Sequence, residues 1–181
     1  QRVQASTPYA RAVTRAVSAV ATYSNVDHIL TTEAANPTRA AIVLFTSDRG
    51  LAGAFNSQVI REASELRTRL EGDGKEVVHF LVGRKAVQYF TFRRRAAERE
   101  WTGGTDNPEF ETAQESAEAI VGKFVQPTAE GGVDEIHIVY NRFVSMLLQT
   151  PETVRLLPLE IVEGVESPED AHAVFPLYEF E

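Results

Sequence analysis

The sequence contains no cysteine, so it offers neither a disulfide framework nor a thiolate metal site. It also lacks any apolar run of the roughly 18 residues that a membrane-spanning helix requires. Basic residues are in the minority, with 18 Lys and Arg against 26 Asp and Glu and a net charge of −8. This acidic balance argues against nucleic acid as a partner. We expect any membrane association to depend on a partner protein.

Known catalytic spacings are absent as well. The four histidines are far apart in the sequence and none belongs to an HExxH pattern: His28, His79, His137 and His172,. His79 and His137 fall inside predicted strands, where a hydrogen-bonded structural role is expected. Ser47 follows a strand, but Phe45 stands where the GxSxG elbow requires glycine,. We therefore predict no catalytic residue, no metal site and no cofactor.

What the sequence does contain is a pattern of alternating strands and helices. Residues 40–45 form a continuous apolar run, as in a buried parallel strand,. An apolar set with helical periodicity follows at Val59, Ile60, Ala63, Leu66 and Leu70, and a second apolar run covers residues 77–82,. A strand, a helix and a strand within about forty residues indicate a right-handed parallel crossover. The predicted fold is α/β, a Rossmann-like open sheet with flanking helices.

Three boundaries of the remaining elements are also predicted. Asn56 is expected to cap the first of these helices, and Asn107 with Pro108 to start another,. The buried stripe of that later helix would consist of Phe110, Ala113, Ala117, Ile120, Val121 and Phe124. Two long strands, 135–146 and 154–162, would form a terminal hairpin around a turn at 149–152.

A polar turn with two glycines follows the first strand. Its residues Ser47, Asp48, Arg49, Gly50 and Gly53 suggest a phosphate-binding loop,. The turn matches neither GxxxxGK[ST] nor GxGxxG, no lysine follows it, and the carboxylate would repel phosphate. Asp48 with Arg49 could form an acid–base pair, but adjacent turn residues more often cap a helix. We interpret the turn as structural.

Five ordered elements resemble the gamma subunit of rotary F-type ATP synthases. They are TSDRGLAGAFN at 46–56, VGRKA at 82–86, IVYNRFVSM at 138–146, LLPL at 156–159 and YEFE at 178–181. The first is similar to the SDRGLCG-type element of that family, with Ala52 in place of the usual cysteine. Their order and approximate spacing agree with the family over roughly residues 39–181. The family would continue toward a long C-terminal helix, so we expect the chain to be a fragment of such a subunit.

The resemblance implies a mechanical role for the chain. Residues 1–36 would be the upper part of an N-terminal coiled-coil helix, and residues 37–181 a globular Rossmann-like rotor foot. The apolar stripe from Tyr9 to Tyr23 could pair with a missing antiparallel helix or dock on its own domain,. The family's gamma subunit is not catalytic. It couples rotation of the membrane c-subunit ring to ATP synthesis in the alpha/beta hexamer and also binds the epsilon subunit, as a peripheral protein on the cytoplasmic face of the bacterial cell membrane.

Two segments are candidates for partner contacts. Arg93, Arg94 and Arg95 could be a solvated face or could grip an acidic surface of another stalk subunit,. The resemblance places the closing element, here Tyr178, Phe180 and Glu181, against the ring. The alternative is that these two aromatic side chains only pack under the hairpin, because alternate residues of a strand share a face.

A second class of function, a nucleotide-binding Rossmann-like domain, is also consistent with the predicted fold, because open α/β sheets serve many functions. The missing phosphate loop counts against it, and nucleotide titration of the chain would separate the two classes.

Overall fold

The computed structural model describes residues 28–50, 53–145 and 148–159. Their strands and helices are, in chain order, β1 (Arg39–Phe45), α1 (Phe55–Gly72), β2 (Glu76–Val82), α2 (Arg84–Phe92), β3 (Arg99–Trp101), α3 (Phe110–Val125), a 3-10 helix (Thr128–Glu130), β4 (Glu135–Phe143) and β5 (Gln149–Leu157). The sheet order is β3-β2-β1-β4-β5, with β5 antiparallel to β4 and the other pairs parallel. The predicted Rossmann-like open sheet is confirmed.

The central strand β1 is the most buried element, as its unbroken apolar run predicts. Its residues from Ala40 to Leu44 are 0% exposed. Side chains alternate across the sheet: Ile42 packs with α1 and α2, and Val43 packs with α3 on the opposite face. Burying each of the larger side chains stabilises the fold by about 1.5–3 kcal/mol.

Helix α1 follows the predicted periodicity, with Val59, Ala63, Leu66 and Leu70 buried on the sheet. The prediction that Asn56 caps this helix is wrong. The helix begins at Phe55 after Ala54, without a side-chain cap. The reason is that the Asn56 side chain is turned back to the preceding loop, where it contacts Ser47.

Helix α3 differs from its prediction in two respects. It begins at Phe110, three residues after Asn107, and no side chain caps it. Of the predicted stripe, Ile120 and Phe124 are buried, but Phe110 is 70% exposed and Ala113 and Ala117 are exposed as well. The N-terminal half of the helix therefore stands away from the sheet and leaves an apolar cavity beneath it.

The terminal hairpin is confirmed, but its predicted turn is wrong. Residues 149–152 belong to β5, where Pro151 pairs with Asn141 and Glu152 with Tyr140. The connection lies instead between Phe143 and Gln149. A proline is compatible with β5 because this strand lies at the edge of the sheet, where one row of backbone groups has no ladder partner.

Helix α2 and strand β3 were absent from the sequence-based prediction. Both are short, with nine and three residues, so their periodicity is weak. The predicted N-terminal helix falls largely on residues outside the described ranges. Of that segment only residues 28–36 are described, and they form turns and irregular backbone.

Replacing Gly83 by Ala is expected to destabilise the fold strongly. Gly83 has φ +96°, and a Cβ there would lie 2.3 Å from the carbonyl oxygen of Thr46. Strain and overlap together should lower the free energy of unfolding by about 3 kcal/mol or more. The matched control is Gly122→Ala in α3, where an added Cβ meets nothing within 4 Å and a gain of about 0.5–1 kcal/mol is expected.

Urea unfolding of both variants, followed by circular dichroism, gives these values. A Gly83→Ala variant as stable as the wild type would contradict the close contact between Gly83 and Thr46.

Candidate functional site

The polar turn after β1 lies at the carboxyl ends of the parallel strands, the edge at which open α/β sheets bind ligands. Its first residue, Thr46, is 5% exposed. The backbone N–H of Thr46 donates to the carbonyl of Val82 at 2.8 Å. The Thr46 hydroxyl donates to the same carbonyl at 3.0 Å and accepts from the N–H of Ala86 at 2.9 Å. Thr46 thus joins the end of β1 to the first turn of α2.

Ser47 joins the same turn to both neighbouring helices. Its N–H donates to Oδ1 of Asn56 at 2.9 Å, and Nδ2 of Asn56 donates back to the Ser47 hydroxyl at 2.9 Å. The carbonyl of Ser47 accepts the N–H of Lys85 at 3.1 Å. The hydroxyl also donates to the carbonyl of Arg49 at 2.7 Å. The Ser47 hydroxyl is therefore engaged within the loop and is not presented as a nucleophile.

Asp48 is the centre of the network. One carboxylate oxygen accepts the N–H of Arg84 at 2.9 Å. The other accepts the N–H of Thr105 at 2.9 Å and its hydroxyl at 2.8 Å. In return, the N–H of Asp48 donates to the Thr105 hydroxyl at 2.8 Å. One side chain therefore connects the β1 turn, the start of α2 and the loop before α3.

These contacts set the protonation state of Asp48, which is only 8% exposed. Burial by itself raises the pKa of the carboxyl. Hydrogen bonds from the backbone N–H groups of Gly103, Thr105 and Arg84 and from the Thr105 hydroxyl outweigh it, and they lower the pKa from 3.8 to about 2,. Asp48 is thus a permanent carboxylate near neutral pH and a poor general acid or base.

The N-terminus of α2 is already saturated by the turn. The N–H groups of Arg84, Lys85 and Ala86 donate to Asp48, to the Ser47 carbonyl and to the Thr46 hydroxyl. A helix N-terminus is the usual phosphate-binding element because its N–H groups are free and its dipole favours an anion. Here a carboxylate of the chain itself occupies that position.

Two cationic side chains in this region, Arg49 and Lys85, contact other side chains of the chain. Arg49 forms an ion pair with Asp106, and Nζ of Lys85 donates to Gln88 at 3.3 Å. Gly53 has φ +54°, a left-handed conformation suited to glycine. A Cβ on Gly50 would lie 3.7 Å from Nζ of Lys85, which is ordinary contact.

The cavity beneath α3 has a volume of about 490 Å³. Apolar side chains dominate its walls, among them Trp101, Ile120, Ile138 and Leu156. Its polar lining residues include four threonines, Thr46, Thr102, Thr105 and Thr112. The cavity contains no lysine, arginine or histidine among its lining residues, so it offers a phosphate no countercharge.

Metal chemistry has no support in the described part of the chain. No group of three or more His, Asp or Glu side chains there could hold an ion. His137 contacts Glu135 at 3.0 Å. His79 packs edge-on against Phe90, with ring centroids 4.8 Å apart. Burial, followed by the nearby charges of Arg67 and Arg95, lowers the pKa of His79 to about 4.

Within the described ranges, no helix is long and apolar enough to cross a membrane.

The structure places the sequence-predicted site residues in two separate regions. Ser47, Asp48 and Arg49 lie in the strand-to-helix turn, whereas residues 93–95 follow the opposite end of α2. Tyr178, Phe180 and Glu181 lie outside the described residues.

Sequence reasoning missed Thr105 and Gly83, which complete the turn network. Thr105 is 57 residues from Asp48, so no local spacing connects them. The only signal was the pair of glycines just before this threonine. Gly83 carried a clearer signal, because a glycine directly after an apolar strand often marks a close backbone approach.

Comparison with known proteins identifies the family. A family model described as ATP synthase matches residues 1–181. The ATP synthase gamma chain of Clavibacter michiganensis subsp. michiganensis is 66% identical over 181 residues, which is 100% of this chain and 60% of the relative. The gamma chain of Leifsonia xyli subsp. xyli is 67% identical over 180 residues, covering 99% of this chain and 60% of the relative. The chain thus spans about 60% of the length of these relatives.

A solved structure agrees at the level of the fold. The central stalk and c-ring structure of the Tetrahymena thermophila mitochondrial ATP synthase contains a chain with a TM-score of 0.55 and 23% identity. The match covers 75% of this chain and 57% of that one. Together with the family model and the gamma-chain relatives, the five ordered elements lead to one conclusion: the chain belongs to the family of ATP synthase gamma chains.

Proposed function

We propose that this chain is the globular part of a central-stalk gamma subunit, a non-catalytic rotor component of a proton-translocating ATP synthase. Its task is to couple rotation of a membrane c-subunit ring to ATP synthesis in an alpha/beta hexamer. The single observation that supports a non-catalytic role is that the backbone N–H groups at the N-terminus of α2 already donate hydrogen bonds within the chain. Where a nucleotide-binding Rossmann-like domain would hold phosphate, Asp48 already accepts the N–H of Arg84.

The proposed partners follow from the same role. The epsilon subunit and the ring would contact the globular domain, residues 37–181, and the hexamer would be reached through long helices beyond it. Residues 1–36 would contain the upper part of the N-terminal helix of the stalk. The protein would lie on the cytoplasmic face of the cell membrane, held there by its partners.

A chimera tests the coupling role directly. These 181 residues would replace the 66% identical segment of the Clavibacter michiganensis gamma chain, in membranes that lack their own gamma subunit. We expect proton-driven ATP synthesis to be restored, because 66% of the replaced residues are identical and the family shares the fold. The unmodified relative is the positive control, and an empty vector the negative one. An assembled complex that hydrolyses ATP without proton coupling would contradict the proposed role.

The structural role of the turn predicts a pH-dependent effect of Asp48→Asn. Because folding depresses the pKa of Asp48 from 3.8 to about 2, its stabilisation is complete above about pH 4 and is lost as the pH falls towards 2. At pH 7 the variant should be less stable by about 2 kcal/mol, since one pKa unit corresponds to about 1.4 kcal/mol. The difference from the wild type should vanish near pH 2.

Urea unfolding between pH 2 and pH 7 measures this difference. The control is Asp73→Asn, at an exposed position just after α1, which should stay within about 0.5 kcal/mol of the wild type. Calorimetric titration should detect no ATP binding with a dissociation constant below about 1 mM, either in the wild type or in the Asp48→Asn variant. ATP binding by the wild type that Asp48→Asn weakens would refute the structural interpretation.

The closing element, outside the described residues, is proposed to contact the ring. An aromatic side chain supplies buried area and a carboxylate can pair with a cation. Tyr178→Ala and Glu181→Gln, introduced separately into the full-length subunit, should each weaken retention of the catalytic head on ring-containing membranes. Phe180 lacks the hydroxyl of the family's second tyrosine, so it can contribute by packing alone. Unchanged retention and unchanged ATP synthesis in both variants would reject this role.

A further inference from the structure

A compact basic patch follows the end of α2. It consists of residues 92–95, which we call the α2-end patch: Phe92, Arg93, Arg94 and Arg95. Phe92 is 86% exposed, more than the other large apolar side chains recorded as exposed in the described ranges. All three arginines are exposed as well. The patch therefore presents an aromatic ring and three positive charges to solvent in four consecutive residues.

The charges of the patch are not balanced within the described part of the chain. Most other cations of the described ranges form ion pairs: Arg61 with Glu65, Lys75 with Glu135, and Lys123 with Glu98, for example. The chain has a net charge of −8, so carboxylates are abundant. Within the described ranges, none of them forms an ion pair with the three arginines of the patch. A run of three exposed arginines that forms no ion pair with the described carboxylates suits an external acidic partner.

The patch is also held in place before any partner binds. The N–H groups of Arg93, Arg94 and Arg95 donate to the carbonyls of Tyr89, Thr91 and Phe90 at 3.2, 3.0 and 2.9 Å. Arg94 has φ +53°, the left-handed conformation that commonly ends a helix. The guanidinium of Arg93 lies 4.6 Å from the centre of the Tyr89 ring, which restricts its orientation. Binding would therefore cost little backbone ordering.

A helix C-terminus by itself favours positive charge, which is the simplest alternative explanation of the arginines. Each cation near the end of a helix contributes only about 0.3–1 kcal/mol at an exposed site. The last carbonyls of α2 already accept backbone N–H groups, so the guanidinium groups are not needed as caps. The dipole also gives no reason for the exposed ring of Phe92.

We propose that the α2-end patch docks on an acidic protein surface within the assembled synthase. Phe92 would enter an apolar pocket of the partner, and the arginines would pair with carboxylates around it. Arginine and aromatic residues are enriched among the residues that dominate binding energy at protein interfaces. The inference rests on the proposed function only in taking the partner from the same complex.

An anionic membrane is a weaker candidate than an acidic protein as the binding partner of the α2-end patch. A cation near such a surface contributes about 1 kcal/mol, and membrane-binding clusters contain about four to eight cations. Three arginines would contribute only about 3 kcal/mol, against repulsion from a chain of net charge −8. Paired with carboxylates at a partly desolvated interface, the same guanidinium groups form stronger, bidentate contacts.

Photo-crosslinking in the assembled synthase tests the contact. Benzoylphenylalanine would replace Phe92 in the full-length subunit, and a matched sample would carry it at Phe110, which is also exposed but lies between Glu109 and Glu111. We expect the Phe92 position to crosslink to one defined, Asp- and Glu-rich segment of another subunit, identified by mass spectrometry. The Phe110 position should not crosslink to that segment. Adducts to lipid alone, or no adduct in an assembled complex, would overturn the proposal.

Charge reversal then tests the energetics. Arg93→Glu with Arg94→Glu should weaken binding of the crosslinked subunit by at least about tenfold at low salt, and the difference should shrink as ionic strength rises. The control variant carries Arg61→Glu and Arg69→Glu in α1. It changes the net charge by the same amount and should bind the partner like the wild type. Replacing Asp or Glu residues by Arg in the crosslinked segment of the partner should restore binding of the patch variant.

The outcomes separate this inference from the proposed function. Equal binding by the patch and control variants in an assembled complex would reject the docking surface and leave the rotor role intact. A wild-type full-length subunit that fails to assemble with the other synthase subunits would reject both. Binding to phosphatidylglycerol vesicles that the patch variant loses, with unchanged subunit binding, would assign the patch to lipid and reject the protein partner.

Discussion

The close approach between Thr46 and Gly83 determines the geometry of the whole carboxyl edge of the sheet. A Cβ on Gly83 would lie 2.3 Å from the Thr46 carbonyl oxygen, so only glycine lets the two backbones meet there. Because they meet, the Thr46 hydroxyl reaches the N–H of Ala86 and the Asp48 carboxylate reaches the N–H of Arg84. Any larger residue would move α2 away from β1 and leave these buried polar groups unpaired.

The same geometry explains why a Rossmann-like sheet need not bind a nucleotide. In nucleotide-binding members of this fold class, a helix N-terminus at this edge holds an external phosphate. Here Asp48 supplies an internal carboxylate to the N-terminus of α2, and the hydrogen bonds it accepts depress its pKa to about 2. The fold class therefore supports several functions, and the side chains at the edge of the sheet decide between them.

The sequence allowed the long, periodic elements to be predicted, but not the elements fixed by distant contacts. The apolar run of β1 and the four-residue steps of α1 carried enough information in themselves. The β4–β5 turn was misplaced because Pro151 and Glu152 resemble turn residues, whereas pairing with Asn141 and Tyr140 holds them in an edge strand. The exposed half of the α3 stripe could not be foreseen, since periodicity gives a helical face but not its distance from the sheet. At the site, Asp48 was identified from its motif, but its partner Thr105 was not, because 57 residues separate them.

Both ends of the central strand are anchored by carboxylates, which bears on the proposed mechanical role. At its carboxyl end Asp48 connects the β1 turn to Arg84 and Thr105. At its amino end Oδ2 of Asp134 accepts the N–H groups of Thr38 and Arg39 at 2.7 and 3.0 Å. Burial raises the pKa of Asp134, but these bonds and one from Thr128 outweigh it and lower the pKa, so the carboxylate stays charged. Apolar packing is non-directional and permits sliding, whereas charge-assisted hydrogen bonds fix distance and angle. A strand fixed in this way at both ends resists shear against its neighbours, as a torque-transmitting foot requires.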